Sequence, residues 1–94
     1  MTTRSSEGLD ERRRKLLYRS WHTGLREVDF ILGPFADAQI DTLNDADLTT
    51  YETLLEVPSP VLMAWVMEQE KPPADYITPL FARLRDFHVN KNKA

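Results

Sequence analysis

The sequence predicts an all-α fold, a compact bundle of about five short helices. Three observations carry that prediction. Apolar residues recur at helical spacing through most of the chain, no segment shows four or more residues of clean period-2 alternation, and β-branched residues are sparse. The connections are short, so neighbouring helices are expected to pack antiparallel or at steep angles.

Residues 1–9 have no apolar periodicity and read as a flexible N-terminal tail. Asp10 is placed to cap a first helix, and the helix dipole favours Glu11 in its first turn. Leu16, Leu17 and Trp21 form its apolar stripe, and it ends between His22 and Gly24. A second helix carries Leu25, Val28, Leu32 and Phe35 at i, i+3, i+7 and i+10, which fits a 3.6-residue period. Gly33-Pro34 is expected to interrupt it, because proline lacks the amide donor and disfavours helix in the residue before it.

Phe35 to Leu43 then reads as a separate short helix with Phe35, Ile40 and Leu43 apolar. Asn44 caps the next helix, which turns Leu48, Tyr51, Leu54 and Leu55 inward. Val57-Pro58-Ser59-Pro60 ends that helix and starts another, with Ser59 as N-cap and Pro60 at the first helical position. Leu62, Trp65 and Val66 face the core, with Met63 a further candidate, and Lys71-Pro72-Pro73 is a stiff loop. The last helix carries Ile77, Leu80, Phe81, Leu84 and Phe87; either Asp75 or the pair Thr78-Pro79 starts it. The helical domain therefore spans 10–89, and 90–94 form a flexible C-terminal tail.

Ninety-four residues make one domain, which buries roughly 60–65% of the surface its unfolded chain exposes. The absence of cysteine excludes disulfides and thiolate metal sites and suits a reducing compartment. No apolar run approaches the roughly 20 residues that span a bilayer, and the first residues lack a signal-like apolar segment. Cytoplasmic location without membrane attachment is the expectation. The net charge of -3 is unevenly spread: residues 1–33 carry seven basic and five acidic side chains, residues 34–80 one and nine. A basic first helix beside an acidic middle suggests complementary docking surfaces, and solvated faces are the plainer reading.

Catalytic and metal-binding patterns are missing. His22 and His88 lie far apart in sequence with no His-x-x-x-His pair, and three glycines build no phosphate loop. Asp45 and Asp47, and Glu52 and Glu56, sit at helix-start and exposed positions where acids are expected anyway. No nucleophile–base pair can be named, so the chain reads as a non-enzyme that binds no metal. The basic run Arg12-Arg13-Arg14-Lys15, continued by Arg19, raises a helix-turn-helix reading. The pI of about 5.3 argues against nucleic acid as partner.

With Leu25, Val28 and Leu32 facing the core, Arg26, Glu27 and Phe30 fall on the opposite side of the second helix, and Gly24 and Ile31 on one flank. Either this helix is central and packed on both sides, or Phe30 is an exposed anchor beside a glycine gap and a charged pair.

Several pieces resemble the succinate dehydrogenase FAD assembly factors. In order they are Arg12-Arg13-Arg14-Lys15-Leu16-Leu17, Arg19-Ser20-Trp21-His22, Gly24-Leu25-Arg26-Glu27-Val28-Asp29, Leu32-Gly33-Pro34-Phe35-Ala36, Tyr51-Glu52-Thr53-Leu54-Leu55-Glu56 and Leu62-Met63-Ala64-Trp65-Val66. The resemblance implies a small helical bundle, monomeric when free. It would bind the flavoprotein subunit of succinate dehydrogenase, and in some bacteria fumarate reductase, and promote covalent attachment of FAD to a histidine of that client. Such a factor acts by positioning; it binds no cofactor tightly, and FAD is handled on the client. A helical adaptor for a different complex is the alternative.

The family signature, Arg-Gly-x-x-Glu, reads Thr23-Gly24-Leu25-Arg26-Glu27 here. The glycine and glutamate match and the arginine does not; a neutral threonine makes no charged contact. Arg26 offers a guanidinium one turn along if residue 23 is already helical. Divergence with compensation, an altered sequence and a paralogue of weakened activity all fit that departure. The resemblance assigns client contact to Thr23, Gly24, Glu27, Arg26, Trp21, His22, Phe30 and Arg19. Gly24 would allow close approach or serve a helix cap or tight turn, and Glu27 would pair with a basic group near the flavin.

Overall fold

Two side-chain caps set the frame. Asp10 accepts from the Arg13 amide at 3.4 Å, and Asn44 accepts from the Asp47 amide at 2.8 Å. Each satisfies one of the first amides of a helix, which have no partner within it. The computed structural model describes residues 7–91. Among them are α1 (Glu11–Ser20), α2 (Arg26–Gln39), α3 (Asp45–Leu55), α4 (Ser59–Val66) and α5 (Pro79–Lys91), two single 3-10 turns (Ile40–Thr42 and Ala74–Tyr76), and no strand. The all-α expectation of about five helices holds.

The central element is α2, which packs against α1, α4 and α5, while α3 lies against α1 and α5. Val28, Ile31, Leu32, Phe35 and Ala36 of α2 are buried together with Leu16, Leu48, Tyr51, Leu54, Leu62, Leu80 and Leu84 from the surrounding helices. Phe35 anchors the centre, 5.8 Å by ring centroid from both Tyr51 and Phe87. These buried side chains line one face of α2; on the opposite face Arg26, Glu27 and Phe30 stay exposed, Phe30 with 43% of its surface, so the reading of a helix packed on both sides does not hold at that end.

The break expected at Gly33-Pro34 does not occur; α2 runs through both residues to Gln39. Proline removes one hydrogen bond, the one its amide would give to Phe30, and the clash with the preceding residue depends partly on that residue's Cβ. Gly33 has none. Phe35 therefore belongs to α2, and the short helix expected over Phe35–Leu43 shrinks to the 3-10 turn at Ile40–Thr42. Arg13 closes that turn by donating to the carbonyls of Ile40 and Leu43.

Three smaller expectations also change. Ser59 is the first residue of α4 and not its cap: Pro58 occupies the cap position, its carbonyl accepting from Val61 and Leu62. The choice at α5 falls to Thr78, whose hydroxyl accepts from the Phe81 amide at 3.1 Å, while Asp75 lies in the 3-10 turn. Ile77 precedes α5 and is exposed, so it does not join the core. Of the expected tails, residues 1–6 and 92–94 lie outside the described residues. Leu9 packs against the core, and α5 continues to Lys91.

Candidate functional site

The site is built around the turn between α1 and α2. Helix α1 ends at Ser20, with Trp21 as its C-cap, and α2 begins at Arg26. Position 23 is therefore not helical, and Arg26 is not one helical turn along from it. Instead Thr23 is tied into the turn. Its backbone amide donates to Asp29 Oδ1 at 2.7 Å and its hydroxyl donates to the same oxygen at 2.6 Å. The Leu25 amide donates to the Thr23 hydroxyl at 3.3 Å. From α4, the Ser59 hydroxyl donates to the Thr23 carbonyl at 3.2 Å. The sequence reading missed Asp29 and Ser59 as turn-holding residues; the available signal was a second acid in the first turn of α2.

Gly24 has φ +98°, a conformation that side-chain-bearing residues rarely adopt, and no atom lies within 4 Å of where its Cβ would stand. The turn requires this glycine on backbone grounds, and its outer face is open. Arg26 and Glu27 follow, both exposed, and neither side chain has a hydrogen bond or ion pair among the described residues. A cation in the first turn of a helix opposes the macrodipole, so Arg26 gains nothing locally from its position.

Trp21 is held firmly. Its ring lies on Gly33, where a Cβ would come within 2.4 Å of ring carbons. Its indole Nε1 donates to Asp37 at 3.0 Å. Half-buried, it forms a wall of the turn and fixes α1 against α2. Phe30 lies three residues before Gly33 on the same outer side of α2.

His22 lies on the other side of the turn, exposed and stacked on Tyr18, with ring centroids 4.0 Å apart and planes 14° apart. Its Nδ1 is 2.7 Å from the Tyr18 carbonyl. A carbonyl only accepts, so Nδ1 carries a proton and donates. Arg19 is bonded to Glu56 of α3. A cleft of about 280 Å³ opens between Arg19, His22 and Thr23 on one side and Val57, Pro58 and Ser59 on the other, above Val28, Leu32 and Leu62.

The eight residues assigned to client contact thus surround one turn, in two groups. Gly24, Arg26, Glu27 and Phe30 offer bare backbone, two unpaired charges and an aromatic ring on the α2 side. Arg19, His22 and Thr23 border the cleft, and Trp21 braces the turn from behind. The acids Glu52 and Glu56 pair with Arg12 and Arg19, and Asp47 with Arg83. Among the described residues no group of three or more His, Cys, Asp or Glu is arranged to hold a metal, and no helix is long and apolar enough to cross a membrane.

A family model described as the flavinator of succinate dehydrogenase matches residues 14–88, which include the turn and all of α2. The FAD assembly factor SdhE of Acetobacter pasteurianus is 35% identical over 80 residues, covering 85% of this chain and 73% of that protein. The protein of the same name from Haemophilus ducreyi is 36% identical over 62 residues, 66% of this chain and 76% of its own length. A mitochondrial succinate dehydrogenase assembly factor 2, from Dictyostelium discoideum, is 34% identical over 70 residues, 74% of this chain and 50% of that protein. The chain thus spans about three quarters of the bacterial relatives and half of the mitochondrial one.

Proposed function

The chain belongs to the succinate dehydrogenase flavinators, the FAD assembly factors, and on that premise we propose that it binds the flavoprotein subunit of succinate dehydrogenase and promotes covalent attachment of FAD to it. The observation that carries this reading is the family match over residues 14–88, which includes the whole turn. The protein acts as a non-catalytic assembly factor. Its contribution is binding energy spent on holding the client and its flavin in a reactive geometry. Gly24 lets the client backbone come close, Glu27 pairs with a basic group near the flavin, and Arg26 meets an acid. Trp21 and Thr23 hold the turn in shape, while Phe30, His22 and Arg19 border the contact.

FAD is cargo of the client in this scheme. Small-molecule pockets run from roughly 300 to 1,000 Å³, and the cleft beside the turn, at about 280 Å³, is small for a dinucleotide. It is closer in scale to a single inserted side chain. Fumarate reductase is a second candidate client. We take the protein as a monomer when free, and the cytoplasm as its compartment.

The test is covalent flavin on a co-expressed flavoprotein subunit, read as in-gel fluorescence after denaturation, with and without this chain. Stimulation is expected. Equal covalent flavin in both, with no complex formed under any flavin condition, would sink the reading in favour of an adaptor for another complex.

A further inference from the structure

We propose that Asp29 is a positioning residue: it holds the Thr23–Gly24 turn in the conformation that the client recognises, without touching the client through the same oxygen. The inference rests on the reading of this turn as the client-contact surface. Asp29 Oδ1 receives both donors of Thr23, the amide at 2.7 Å and the hydroxyl at 2.6 Å. The hydroxyl has one proton, and the carboxylate, nearer and charged, takes it in preference to the Leu25 carbonyl at 3.1 Å. The ring closed from Asp29 back to Thr23 contains Gly24, which sits at φ +98° with nothing near its outer face. Packing therefore does not fix the bare peptide from outside. The closure from Asp29 is the shortest of the side-chain ties that fix it; the others are the longer bond from the Leu25 amide to the Thr23 hydroxyl at 3.3 Å and the Ser59 bond to the Thr23 carbonyl at 3.2 Å.

A turn released from Asp29 samples other conformations, and client binding must then supply the ordering, which weakens affinity without altering chemistry in the bound state. The experiment uses the full chain with the purified flavoprotein subunit and FAD. It measures the factor concentration giving half-maximal covalent flavinylation and the rate at saturation. Thr23 amide hydrogen exchange is followed by NMR in the free protein. Asp29→Ala is expected to raise the half-saturating concentration about tenfold, the scale of a lost hydrogen bond to a charged group, with the saturating rate unchanged. Its Thr23 amide should exchange faster. Asp29→Asn keeps an acceptor oxygen and should recover most of the affinity.

Any of three results overturns the proposal. The first two are unchanged Thr23 exchange in Asp29→Ala, and Asp29→Asn as impaired as Asp29→Ala, which would make the charge itself the client contact. A half-saturating concentration within about twofold of wild type despite faster exchange overturns it as well. Failure of the wild type to stimulate at all sinks the client reading, and is distinguishable because the exchange measurement still reports whether Asp29 holds the turn.

Discussion

Glu68 occupies the left-handed region at φ 60°, just past the end of α4. The Gln69 amide donates to the Ala64 carbonyl at 2.8 Å and the Glu68 amide to the Trp65 carbonyl at 3.2 Å. This pair of bonds is the Schellman ending, in which the left-handed position normally holds glycine because a Cβ is unfavourable there. The side chain is exposed and within 3.9 Å of Arg85, a surface contact worth little. Glu68→Gly is therefore expected to stabilise the fold by about 0.5–1 kcal/mol, offset in part by the greater freedom of glycine in the unfolded chain. Urea unfolding followed by circular dichroism checks it; a lower midpoint would mean that the Glu68–Arg85 contact outweighs backbone strain. At Gly33 the argument is different, since no unusual φ is involved and the constraint is the Trp21 ring lying where a Cβ would go.

Between helices, α1 and α3 are joined by one buried polar contact, a half-buried ion pair between Arg12 and Glu52, an exposed one between Arg19 and Glu56, and a bond from Arg12 to the Thr49 hydroxyl. The Ser20 hydroxyl donates to the Leu16 carbonyl at 2.7 Å, so the Tyr51 hydroxyl must be the donor in the buried contact between them. Tyr51→Phe leaves no donor without an acceptor and should cost about 1 kcal/mol. Ser20→Ala strands the Tyr51 hydroxyl in the core and should cost about 1–3 kcal/mol. Urea midpoints that reverse this order would refute the assigned donor direction. Arg12 holds Glu52 through Nε and Nη2 at 2.9 and 2.8 Å. That hydrogen bonding, with Coulomb attraction from Arg12 and Arg19 added and burial opposing, holds the Glu52 carboxyl below its ordinary value. The folded value being depressed, the stabilisation is present above the unfolded pKa of about 4.3 and is lost as pH falls through the lower folded value. Glu52→Gln should shrink the loss of stability between pH 7 and pH 3, and an unchanged acid slope would contradict the pairing. The sequence made these helices legible through the positions of Leu16, Leu48, Tyr51 and Leu54, and its charge asymmetry through the acidic middle. It did not reveal that Arg12 and Arg19 answer Glu52 and Glu56, because pairs 40 and 37 residues apart depend on tertiary packing. Local rules failed at Gly33-Pro34 for a similar reason: a helix held by its buried face and by the Trp21 ring over Gly33 withstands one missing hydrogen bond.

Across the whole molecule, two ion pairs, Arg12–Glu52 and Arg19–Glu56, join the basic start to the acidic middle, and Asp47–Arg83 joins that middle to α5. The charges left unpaired at the turn, Arg26 and Glu27, are the ones the family resemblance places against a client. Gly24 joins the two levels, because its φ of +98° serves the free fold and its open outer side is the surface proposed for close approach of the client. A substitution series separates the two demands. Stability should follow backbone tolerance: Gly24→Ala is expected to lower it by about 1 kcal/mol, Gly24→Asn by less, since asparagine tolerates positive φ better. Client flavinylation should follow side-chain size, with Asn and Arg at position 24 both impaired, Arg most, whatever their urea midpoints. The readouts are unfolding midpoints and covalent flavin yield on the same variants. If flavin yield tracks the midpoint across Ala, Asn and Arg, Gly24 serves only the turn; if Gly24→Asn stays stable but loses yield, the bare peptide is itself the surface the client approaches.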